Sequence, residues 1–78
     1  VLASPARADD YSWNSASGGN WNVDSNWNPL GPPAAADNAT INLAGTYTVT
    51  LNDNRAITNL TIDNSTATLR HTTGTFTV

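Results

Sequence analysis

From Asn38 to the end of the chain, apolar and polar residues alternate with a period of two, and this pattern constrains the fold more than any other feature. Ala39, Ile41 and Leu43 share one face of an extended strand, as do Tyr47, Val49 and Leu51, while Thr46, Thr48 and Thr50 point the other way. Leu60 with Ile62, Ala67 with Leu69, and Phe76 with Val78 continue the pattern. The segments are separated by Ala44-Gly45, Asn52-Asp53-Asn54, Asp63-Asn64-Ser65 and Thr73-Gly74, all built from turn-forming residues. Ile57 has the opposite parity to Leu60 and Ile62, which predicts a bend near Thr58-Asn59.

Composition agrees with strands. The 78 residues contain no Lys, Glu, Gln or Met, and Thr and Asn together exceed a quarter of the chain. Thr suits a pleated, half-buried surface and Asn suits turns, so the fold class is all-β. A chain this short has a thin core. With no Cys it lacks disulfides as well, so stacking against further chain or against neighbours is the expected source of stability.

The spacing of the segments suggests how they stack. Ile41 to Leu60, Leu51 to Leu69, Ile57 to Phe76 and Leu60 to Val78 all repeat at an offset of about 18 or about 19, close to one coil of a β-solenoid. In such a fold each coil adds a rung and apolar residues stack in columns. A small antiparallel β-sandwich also accommodates alternating strands with regular turns.

Residues 11–37 have a different character: they hold all three Trp and the Pro29-Leu30-Gly31-Pro32-Pro33 turn, which places a boundary near Asp37. Before them, residues 1–10 read as a flexible arm or the remnant of an export signal, because Ala6-Arg7-Ala8 has the small-x-small form of a signal-peptidase site with cleavage before Asp9. Three parts follow: 1–10, a Trp-rich cap over 11–37, and coils over 38–78.

The ordered series Tyr11-Ser12-Trp13-Asn14, Gly18-Gly19, Asn20-Trp21, Asn26-Trp27-Asn28-Pro29, Pro32-Pro33 and Asp37-Asn38-Ala39-Thr40-Ile41 resembles the N-terminal Trp-rich motif of bacterial surface repeat proteins, including autotransporter-like and PEP-CTERM-type proteins. Ile57-Thr58-Asn59-Leu60-Thr61-Ile62 is similar to a rung of their repeats. The resemblance implies a cap followed by the first coils of a parallel β-solenoid, an extracellular or cell-surface location, and a structural or adhesive role without shared catalytic residues. An open solenoid end exposes apolar columns and unpaired edges, and Trp13, Trp21 and Trp27 supply the apolar area to cover one.

Other functions find less support in the residues. The net charge is −3 with only three Arg, so no basic patch exists for nucleic acid. No apolar run approaches the roughly 20 residues of a membrane-spanning helix. A Ser-His-Asp set can be drawn from Ser65, His71 and Asp63, but no nucleophile elbow or glycine-rich oxyanion loop surrounds any Ser. The expectation is therefore a protein that is not an enzyme and carries no cofactor. Asp53 and Asp63, in their Asn-rich turns, are weak candidates for Ca²⁺, with Asx-turns as the plainer reading.

Two alternatives remain open. Exposed Trp13, Trp21 and Trp27 would stack on sugar rings in a module that binds surface polysaccharide. Alternatively, the strand edge at Phe76, Thr77 and Val78 would accept a strand from an identical subunit in a self-assembling filament, instead of the next coil of its own chain.

Overall fold

A computed structural model of the chain describes residues 9–78, so the export-signal reading of Ala6-Arg7-Ala8 lies outside the described residues. The expected all-β class is what forms. The strands are β1 (Asp10–Trp13), β2 (Gly19–Asn20), β3 (Trp27–Asn28), β4 (Asn38–Ile41), β5 (Tyr47–Leu51), β6 (Arg55–Ala56), β7 (Asn59–Ile62), β8 (Ala67–His71) and β9 (Phe76–Thr77). The only helical element among the described residues is one 3-10 turn, Asp24–Asn26.

The strands form three sheets, with orders β3-β1-β4-β7, β2-β5-β8 and β6-β9. β1 pairs with β4, β4 with β7, β2 with β5, β5 with β8 and β6 with β9, all in parallel. Among the described strands only β3 runs antiparallel, against β1, which makes the first sheet mixed. These directions overturn the small antiparallel sandwich, because only β1 and β3 pair as a sandwich requires.

The bend expected near Thr58-Asn59 lies between β6 and β7, where the chain leaves one sheet for another. Residues on both sides of Asp37 share sheets, since β1 and β2 lie beside β4 and β5.

The offset expected between successive coils is corrected to a longer one. Ile41 lies opposite Ile62 and not Leu60, Leu51 opposite His71 and not Leu69, and Phe76 opposite Arg55 and not Ile57. Each of these three apolar pairings suggested by the sequence is two positions short. In the first sheet the true offset is the 21 that separates Asn38 from Asn59. Side chains in a strand alternate with a period of two, so a slip of two leaves every residue on its proper face and hydrophobic pattern alone cannot detect it.

The core comprises Trp13, Trp21, Trp27, Ala39, Ile41, Tyr47, Val49, Leu51 and Ile57. Leu60, Ala67, Leu69 and Phe76 pack against it while only partly buried. Of the residues expected inside, Ile41, Val49 and Leu51 are buried, but Leu60 and Leu69 are half-buried and Ile62 is 45% exposed. The reason is positional: β7 and β8 are the last strands of their sheets, and no described strand covers their outer side.

Candidate functional site

At one end of the sheets the three indoles close over the core. Trp13 meets Trp27 edge to face with ring centroids 5.2 Å apart, and Trp27 meets Trp21 at 4.7 Å. Trp21 in turn meets Phe76 of β9 at 5.4 Å, so the aromatic column runs from the first strands to the last. Such tilted contacts bring the positive ring edge to the negative ring face. The indole N–H of Trp13 donates to the Ser15 carbonyl at 2.7 Å and that of Trp27 to the Trp21 carbonyl at 2.8 Å. The Trp21 indole N–H is buried without an acceptor; its ring neighbours are Trp27 and Phe76. Trp13, Trp21 and Trp27 are 2%, 0% and 1% exposed. The flat exposed faces needed for stacking on sugar rings are therefore missing, and the carbohydrate-binding reading of these three residues is corrected.

Asp37 fastens this closed end to the rest. It is 6% exposed, yet both carboxylate oxygens have donors: the Asp9 amide at 3.2 Å and the Ala34 amide at 2.7 Å. Its carbonyl accepts the Thr58 amide at 2.8 Å. One residue thus ties the start of β1, the loop before β4 and the bend before β7. Its buried charge is tolerable because backbone donors replace water. Tyr11, on β1, holds its phenolic proton above the ordinary range, mainly because burial disfavours the anion and further because Asp37 and Asp9 are nearby charges.

The opposite end is open. The Ile41 carbonyl accepts from the Asp63 amide and the Leu51 carbonyl from the Thr72 amide, each at 2.9 Å. The carbonyls of Thr75 and Thr77 accept from Arg55 and Ile57 at 2.8 and 3.0 Å. Backbone groups alternate sides along a strand. Hence Leu60 and Ile62 of β7, Leu69 and His71 of β8, and Phe76 and Val78 at β9 turn their N–H and C=O groups outward. Of the predicted edge Phe76, Thr77 and Val78, the first and last face outward, while Thr77 is directed inward to the β6 side. Ile62 and Val78 also show 45% and 64% of their surface here.

A row of polar side chains crosses the first sheet. Asn38 Nδ2 donates to Asp10 Oδ1 at 2.9 Å, and Asn59 Nδ2 donates to Asn38 Oδ1 at 2.9 Å. The three residues share one register position on β1, β4 and β7. Turns are stitched in the same sense: Asn64 Nδ2 donates to the Leu43 and Gly45 carbonyls, both at 2.8 Å, and Asn54 Oδ1 accepts the Thr75 amide at 2.8 Å. Sequence reasoning assigned Asn54 and Asn64 to turns and missed the stitching. The available signal was the recurrence of Asn38 as Asn59, at the offset by which β7 follows β4.

The residues weighed for chemistry are dispersed. Ser65, His71 and Asp63 are exposed, and no hydrogen bond joins any two of them. Asp53 is engaged by Arg55, whose Nε lies 3.1 and 3.2 Å from its two oxygens and whose Nη2 lies 3.0 Å from Oδ2. In the Asp63-Asn64-Ser65 turn Asn64, not Asp63, makes the Asx-turn, its Oδ1 accepting the Thr66 amide at 3.0 Å. Among the described residues no three His or Asp side chains are grouped as metal ligands, and no helix is long and apolar enough to cross a membrane. No protein-family model, curated protein or solved structure matches the chain.

Proposed function

We propose that this chain is the capped end of a parallel β-solenoid that serves as a non-catalytic scaffold or adhesive segment on a bacterial surface. The observation that carries this reading is the triple parallel pairing β4–β7, β5–β8 and β6–β9 at a nearly constant offset, with an aromatic cluster over one end and unpaired edges at the other. Repetition of one coil in one direction suits a structure that lengthens by rungs, since each rung buries the apolar row of the one before. The Trp-rich region over 11–37 is then a cap, and residues 38–78 are the first coils. Export is supported by Ala6-Arg7-Ala8 and by the resemblance of the Trp-rich motif to surface repeat proteins.

The outward backbone groups at Leu60, Ile62, Phe76 and Val78 favour a second reading, a filament subunit whose edge takes a strand from an identical copy.

The first reading is tested on cells that produce the protein and on the purified chain. Protease added to intact cells should digest the protein, and the folded chain should neither bind nor cleave surface polysaccharides. A protease-protected pool inside the cell would refute the location. Saturable polysaccharide binding by the folded chain would refute the purely structural role.

A further inference from the structure

The polar row on the first sheet has a direction. At the closed end it begins with Asp10, whose carboxylate accepts from Asn38 Nδ2 and has no N–H to pass on. Each following amide donates toward that end: Asn38 to Asp10, then Asn59 to Asn38. Asn59 Oδ1 is left as an acceptor on the last strand, beside the outward backbone groups of Leu60 and Ile62. The turns repeat this sense, because Asn64 reaches back to the Leu43 and Gly45 carbonyls.

Resting on the scaffold reading above, we infer that the open edge accepts one kind of partner: a further rung of the same length and form, running parallel to β7, with a side-chain amide opposite Asn59. Such a rung supplies an N–H to Asn59 Oδ1, amides and carbonyls to the outward backbone groups, and an apolar row over Leu60, Ile62, Leu69 and Phe76. Asp in place of the amide has no proton to donate, and Ala has no polar group, so neither continues the row.

The closed end of a second copy is a poor occupant. In the first sheet β1 is covered by β3, which lasts two residues before Pro29, a residue without an amide. In the second sheet the Asn20 carbonyl, on the outer side of β2, is already taken by Asn26 Nδ2 at 2.9 Å. A copy approaching head to tail therefore finds the closed-end edges of the first and second sheets occupied by its own chain. The row thus distinguishes an end that stops addition from an end that continues it.

The test appends to Val78 a duplicate of residues 58–78, which places an asparagine as far beyond Asn59 as Asn59 lies beyond Asn38. Amide hydrogen exchange is compared in the unextended chain, the extended chain, and an extended chain in which that appended asparagine is replaced by Ala. The Asn extension should slow exchange at Leu60, Ile62, Leu69, His71 and Phe76 by roughly tenfold or more. The Ala extension should lose about fivefold of the protection at Leu60 and Ile62, the equivalent of one ordinary hydrogen bond. Because the duplicate lies outside residues 9–78, both extended proteins keep the folded chain as an internal reference.

Equal protection by both extensions would overturn the inferred role of the amide while leaving the scaffold reading intact. Absence of protection by either would overturn both. Protection in the unextended chain that rises with concentration would assign the edge to a second copy and overturn the proposed partner.

Discussion

Replacing Trp27 by Ala probes whether the closed end is structural. Trp27 is 1% exposed, touches Trp13 and Trp21 through tilted ring contacts, and donates its indole N–H to the Trp21 carbonyl at 2.8 Å. Removing a buried aromatic costs about 3–5 kcal/mol, which already includes the cavity left behind. At about 0.05–0.15 kcal/mol per residue, a chain of this size has only roughly 4–12 kcal/mol of total stability. The variant should therefore be largely unfolded or lose about a quarter or more of its stability. Urea unfolding followed by circular dichroism measures this, since removing an indole alters the fluorescence signal itself. Trp27→Phe keeps a ring in the column but removes the N–H, and should cost less. Leu30→Ala, at a side chain 74% exposed, should stay within about 0.5 kcal/mol of the parent. A Trp27→Ala protein within about 1 kcal/mol of the parent would refute the argument, because a core residue of that size cannot be removed so cheaply.

Asp37→Asn should destabilise by about 1–3 kcal/mol in the same assay, because it turns an amide N–H toward one of two backbone donors in a buried site; an unchanged midpoint would show that water satisfies those donors. Gly74→Ala should be at least as damaging, since Gly74 has φ +82° and a Cβ there would lie 2.5 Å from the Asp53 carbonyl carbon and 3.0 Å from the Asn54 nitrogen; wild-type stability would mean that this turn does not lie against the one before it. Tyr11 ionises at higher pH in the folded chain than unfolded, so its contribution is fully present below the unfolded tyrosine range and is lost as pH rises through the folded value. Tyr11→Phe should flatten that alkaline loss, measured as unfolding midpoints on either side of pH 10; an unchanged slope would place the alkaline sensitivity elsewhere.

Which aspects of the fold were legible from sequence follows from what alternation encodes. A period of two reports faces, and the faces of Ala39, Ile41, Val49 and Leu51 were read correctly because one side of each strand must leave water. The same period says nothing about a slip of two, so Ile41 was matched to Leu60 where Ile62 is found. Composition separated the Trp-rich residues but left their burial open, and it gave no sign of β3 turning back against β1, since so short a strand has too little pattern to register. The backbone direction at Thr77 was equally hidden, being set by which neighbour its carbonyl meets.

Asn was the most under-read residue type. As a turn former it explains Asn64, yet Asn38 and Asn59 lie within strands, where Asn is otherwise disfavoured. Their shared register shows what compensates: each amide meets the next across the sheet, and a slip of two between β4 and β7 would set Asn59 opposite Thr40 in one direction or Asn38 opposite Thr61 in the other. Neither pairing can repeat the amide-to-amide bond. The apolar rows choose the face, while the Asp10–Asn38–Asn59 row, the stitching by Asn54 and Asn64, and the close approach of Gly74 choose among the slips that the faces allow. A residue that looks out of place in a strand is therefore where register is specified, and the recurrence of Asn38 as Asn59 is a better guide to the pairing of β4 with β7 than the spacing of Ile41 and Leu60.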